Sequence, residues 1–151
     1  MGAGEFDTAA GLCGEVGVRE IPLSPLGEHL VEVILARFPE RRPAVVDDGV
    51  TVIVVPALHP AFGDIEIDDD EWEITVHFGV FTHVHFGNDV DGLPVEQKKK
   101  IIVEDVCNYL NDVFMDRVEF FARWWGGGCG PRGKKKGEVF VWSSPVPIFN
   151  D

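Results

Sequence analysis

The chain has 151 residues, 45% of them hydrophobic, with 13 Lys and Arg against 26 Asp and Glu for a net charge of −13. That is enough apolar material for one core, and no apolar run approaches the roughly 20 residues of a membrane span. Such acidity argues against general binding to nucleic acid or an anionic membrane, and it favours solubility or a basic partner. The charge is uneven: residues 1–97 hold four basic and 19 acidic residues, net −15, and residues 98–151 hold nine basic and seven acidic, net +2.

Residues 1–20 are rich in Gly and Ala and carry little periodic signal, so they read as a flexible or tag-derived segment before one domain at 21–151. They lack the charged and apolar regions of a signal peptide. The three cysteines, Cys13, Cys107 and Cys129, are odd in number and have no metal-ligand spacing. Both features predict a cytoplasmic protein without a disulfide framework.

Ser24 followed by Pro25 predicts a helix start. Leu26, Leu30, Val33, Ile34 and Phe38 form its apolar stripe, and Pro39 to Pro43 ends it. Asp47-Asp48-Gly49 reads as a turn, and Val50 to Val55 as a buried β-branched strand. Pro56 to Pro60 reads as a loop, because proline cannot feed a central ladder.

The stretch from Gly63 to Gly87 alternates apolar and polar residues with period two, the pattern of half-buried strands. Trp72, Ile74, Val76 and Phe78 share one face, with Ile65 and Ile67 of the preceding strand. In Phe81 to Phe86, Thr82, Val84 and Phe86 join that face, and Phe81 takes the other with His83 and His85. Opposed residues of an antiparallel pair lie on one side, so His77 should face His83 and Thr75 should face His85. Asp64, Glu66 and Asp68 join the histidine side, with the acidic run Asp68 to Glu71 as the turn between strands.

A second helix is expected from about Pro94 to Met115, with Ile102, Val103, Val106, Tyr109, Leu110, Val113 and Phe114 as its stripe and Cys107 in the core. Lys100 and Glu104 stand at pairing distance on its wet side. Strands follow at Val118 to Trp125 and Glu138 to Ser143, joined by the loop GGGCGPRGKKKG, and Pro145 and Pro147 end the pattern. The order is α-β-β-β-β-α-β-β. It predicts an α+β, two-layer fold with two main helices and a mostly antiparallel sheet of about six strands.

Three groups of residues are candidates for function. The polar sheet face collects Asp64, Glu66, Glu73, Thr75, His77, His83 and His85. Three imidazoles with Asp64 or Glu73 have the donor chemistry of a zinc site, and zinc is the one cofactor this face suggests; a solvated face of weak ion pairs fits the same pattern. The glycine loop matches the spacing of a phosphate-binding loop up to Lys134, but Lys135 follows where Ser or Thr is required and no helix follows. Its Arg132, Lys134, Lys135 and Lys136 are instead candidates to touch an anionic group on a partner. Phe121, Trp125, Phe140 and Trp142 place large rings on the last hairpin and predict an interface, with a second copy of the chain or with a specific protein.

In size, acidity and element order the chain is similar to bacterial secretion chaperones and to immunity proteins that neutralise secreted toxins. That likeness implies a non-enzymatic, protein-binding module. The alternative from the residues is a metal-binding protein or metal-dependent hydrolase using the histidine and carboxylate face.

Overall fold

The computed structural model describes residues 20–87 and 92–151. The expectations for residues 1–19, Cys13 among them, lie outside the described residues, as do residues 88–91.

The fold is α+β. Helix α1 spans Pro25–Arg37 and ends in a single 3-10 turn, Pro39–Arg41. Five strands follow: β1 Ala44–Asp48, β2 Thr51–Val55, β3 Ile65–Asp69, β4 Ile74–Phe78 and β5 Thr82–Phe86. Helix α2 spans Val95–Phe114, and the chain finishes with β6 Val118–Arg123, β7 Gly126–Pro131, β8 Gly137–Val139 and β9 Ile148–Asn150. Strands β1 to β5 form an antiparallel meander in chain order, while β6–β7 and β8–β9 are separate two-stranded ribbons. Among the described residues no helix is long and apolar enough to cross a membrane.

Helix α1 begins where the sequence says it should. The Ser24 hydroxyl accepts from the Gly27 amide at 3.0 Å, which satisfies one of the free amides of the first turn. The same residue anchors the helix to the sheet: its amide and hydroxyl donate to the Asp69 carboxylate at 2.9 and 2.6 Å. Helix α2 packs on α1, and Glu104 accepts a two-armed contact from Arg37 at 3.2 and 2.9 Å. Glu104 therefore joins the two helices and does not pair with Lys100. The hydrogen bond from Arg37 holds its pKa below the ordinary value.

The parity of the meander holds through β3, β4 and β5. His77 pairs with His83, Thr75 with His85, Val76 with Val84 and Phe78 with Thr82. Ile65, Ile67, Ile74, Val76 and Phe78 are fully buried against the stripes of both helices, and Val84 and Phe86 are half-buried against the same cluster. Cys107 is buried there, and burial pushes its thiol up to about 11. A one-residue slip would turn this face to solvent, so the register is fixed by burial.

Two aromatic positions depart from the alternation. Trp72 is 74% exposed, because the turn at Asp70 to Glu73 breaks the parity before β4 begins. Phe81 is buried, because it belongs to the β4–β5 turn and its amide donates to the Phe78 carbonyl at 3.0 Å. In that turn Gly79 has a φ of 51°, and a Cβ there would run into the Phe62 carbonyl, so only glycine fits.

Three strands lie outside the expected order. In β1, Asp47 and Asp48 are strand residues; the turn is Gly49 and Val50, directly after the acidic pair that suggested it. Much of the supposed glycine loop is β7, paired with β6 from Arg123↔Gly126 to Val118↔Pro131. After Pro145 and Pro147 the chain returns as β9 to pair with β8. The single sheet of about six strands is thus a five-stranded meander with two satellite ribbons.

Val76 lies at the centre of the buried face, and an unpaired charge there costs several kcal/mol. We expect Val76→Asp to abolish cooperative thermal unfolding, while Trp72→Ser shifts the free energy by no more than about 0.5 kcal/mol. Equal effects of the two substitutions in calorimetry would contradict this assignment of faces.

Candidate functional site

The histidine face is assembled by strand pairing, as the alternation requires, but its groups are held in pairs. His77 Nε2 lies 2.8 Å from Asp68 Oδ2. His85 Nδ1 lies 3.0 Å from Glu73 Oε1 and 3.0 Å from the Thr75 hydroxyl. The His83 ring sits between them, 5.5 Å from the His77 ring and 4.9 Å from that of His85. Asp64 is drawn away: its carboxylate accepts from the Ala57 amide at 2.8 Å. Among the described residues no group of three or more His, Cys, Asp or Glu side chains is placed to hold a metal ion. Each of these carboxylates engages one nitrogen of its ring, Nε2 of His77 and Nδ1 of His85. Asp68, which alternation places on this face although it opens the acidic run read as a turn, is a β3 residue and the partner of His77.

The second candidate is the β6–β7 hairpin. Its inner side is anchored by Phe120, which is fully buried and stacks 4.9 Å from Phe62, 5.2 Å from Phe78 and 5.8 Å from Phe81. The Phe120 amide and carbonyl also pair with Phe140, linking the ribbon to the segment after β8. The outer side carries Glu119, Phe121 and Arg123, with Trp125 following at the turn.

The four rings expected to form one interface divide between core and surface. Trp142 is 1% exposed, with its ring 5.3 Å from both Phe62 and Phe114, so it is a core residue and no interface anchor. Phe140 is half-buried and packs 4.8 Å from Phe81. Phe121 is half-buried on the outer side; Gly128 is its cross-strand partner, and a Cβ at that glycine would run into the ring. Trp125 is 67% exposed, and its neighbour Trp124 is 92% exposed, the two rings 5.3 Å apart. Trp124 shares its parity with buried Phe120, so alternation pointed it inward. The ribbon turns at Arg123 before that parity can apply.

The basic loop has a partner that its own sequence does not reveal. Three successive amides, Gly133, Lys134 and Lys135, donate to the Glu119 carboxylate, the first two at 2.8 and 3.0 Å. Asn150 of β9 donates to the same carboxylate at 2.9 Å and to the Lys135 carbonyl at 2.8 Å. Glu119 is 1% exposed. Burial pushes its pKa up, but the Lys135 and Gly133 amides, the Asn150 side chain and the Lys134 amide outweigh that and hold the carboxyl below its ordinary value. The glycine-rich segment thus does cradle an anion, and the anion is the chain's own. The side chains of Arg132, Lys134 and Lys136 remain exposed, while the Lys135 ammonium lies 4.5 Å over the Phe121 ring.

Cys129 is half-buried in β7, with its sulfur 3.1 Å from the Tyr109 hydroxyl. Burial first, and then this contact, raises the tyrosine pKa.

A carboxylate whose native pKa is lowered contributes fully above its unfolded value, and the contribution is lost as pH falls through the native one. We expect Glu119→Gln to cost about 1–3 kcal/mol at neutral pH, since it weakens the acceptor for four donors. It should also flatten the acid limb of a plot of unfolding midpoint against pH. A variant curve parallel to that of the parent through the acid range would contradict the role given to Glu119.

Comparison with protein-family models, with curated proteins and with solved structures finds no match to this chain.

Proposed function

We propose that this protein is a non-enzymatic binding module that presents the β6–β7 hairpin to a protein partner. The observation that carries the reading is the pair of adjacent tryptophans at the hairpin turn, Trp124 and Trp125, 92% and 67% exposed. Tryptophan is enriched at interfaces because its large apolar body gains most when covered. An exposed pair beside a rigid root matches an anchor awaiting a pocket. The acidic composition and α+β layout, similar to small immunity proteins and secretion chaperones, support the same reading.

The metal reading of the histidine face draws on residue type alone, since among the described residues no group of three or more ligating side chains is gathered to hold an ion.

We expect Trp124→Ser with Trp125→Ser to leave the unfolding free energy within about 0.5 kcal/mol of the parent, as exposed positions do. The same variant should lose association, read by light scattering as a fall toward the 16.7 kDa of one chain from any dimer or host-protein complex. A parent that stays monomeric and unbound in extract of its own host, or a variant that associates as well as the parent, would contradict the proposal.

A further inference from the structure

The outer side of the hairpin has a chemical order beyond its exposed rings. Starting at the loop, the Lys135 ammonium lies 4.5 Å over the Phe121 ring. The Arg123 guanidinium lies 5.6 Å from that same ring and 5.6 Å from the Trp125 ring. Trp124 then stacks edge-on against Trp125 at 5.3 Å. Cation and ring alternate from the root of the ribbon to its tip.

Among the described residues neither Arg123 nor Lys135 forms an ion pair with an acid. The hairpin and its following loop, residues 117–136, hold six basic residues and one acid, Glu119. That acid is 1% exposed and engaged by amides beneath the loop. In a chain of net charge −13, this strip is a local reversal of sign.

Resting on the proposed docking role of the hairpin, we infer that its occupant is an extended, acidic protein segment whose carboxylates alternate with apolar side chains. Alternate residues of a strand repeat at about 7 Å, the same repeat as Phe121 and Arg123 along β6, with Trp125 beyond them at the turn. Carboxylates of the occupant meet Arg123 and Lys135, which stand over ring faces, and its apolar side chains cover the rings. The acidic body repels the same segment everywhere else, which confines it to the strip and fixes its register. Nucleic acid also combines charge with stacking groups, but it carries a phosphate at every nucleotide toward a body of net charge −13.

The test is fluorescence anisotropy with three dye-labelled probes. They are a peptide of about eight residues alternating Glu and Leu, long enough to span the strand; its counterpart alternating Lys and Leu; and an oligothymidylate of similar length. The inference expects the Glu–Leu peptide to bind at least tenfold tighter than either other probe. Its binding should weaken at least tenfold between about 50 and about 500 mM salt, as screening predicts. Arg123→Gln should reduce it about tenfold, and Trp124→Ser with Trp125→Ser should abolish it. Tighter binding of the Lys–Leu peptide, lost in the tryptophan variant, would overturn the acidic occupant and keep the hairpin as a docking site. Tighter binding of the oligothymidylate would make the strip a nucleic-acid surface and overturn the inference. No probe sensitive to the tryptophan substitutions would overturn both the inference and the docking role.

Discussion

Six rings join the two halves of this chain. Phe62 precedes β3, Phe78 and Phe81 flank the β4–β5 turn, Phe114 ends α2, Phe120 lies in β6 and Trp142 follows β8. Each is buried, and their centroids lie 4.9 to 5.8 Å apart in a continuous cluster. Aromatic pairs of this kind contribute about 0.5–1.5 kcal/mol beyond the area they bury. The Trp142 indole N–H has no acceptor among the described residues, so packing alone holds that ring. The cluster roots the β6–β7 hairpin on the meander and leaves its far end projecting.

The hairpin therefore has two populations of aromatic residues with different work. The inner rings settle where the ribbon sits. The outer rings, Trp124 and Trp125, contribute nothing to that core. Glu119 completes the arrangement from the other end. By drawing the amides of residues 133–135 and the side chain of Asn150 onto one buried carboxylate, it fixes the loop and β9 against β6. It also removes the ribbon's acid from the surface, and among the described residues Arg123 and Lys135 are left without an ion-pair partner. A stabilising contact and a surface charge pattern follow from one residue.

Much of the first two thirds was legible because burial there is periodic. Ser24 marked α1, the α2 stripe was read in full, and the pairing of His77 with His83 followed from parity alone. The alternation stopped being informative where the backbone turns, which is why Trp72 and Phe81 were each given the wrong side. Strand β7 was hidden because glycine has low strand propensity; glycine is needed at position 128 because the Phe121 ring occupies the space a side chain there would take. Strand β9 was hidden behind two prolines that interrupt the chain without ending it. The partnership of Glu119 with amides 133–135 was illegible in principle, since backbone donors leave no residue type to read.

The central claim is that the tryptophans of the hairpin are held out for a partner while that of the root is sealed in. Hydroxyl-radical footprinting read by mass spectrometry tests it directly, on the protein alone and after incubation in extract of its own host. The account predicts strong labelling of Trp124 and Trp125 in the free protein, marked protection of both in the extract, and little labelling of Trp142 in either. Equal labelling of Trp124 and Trp125 in both conditions, or ready labelling of Trp142 in the free protein, would contradict it.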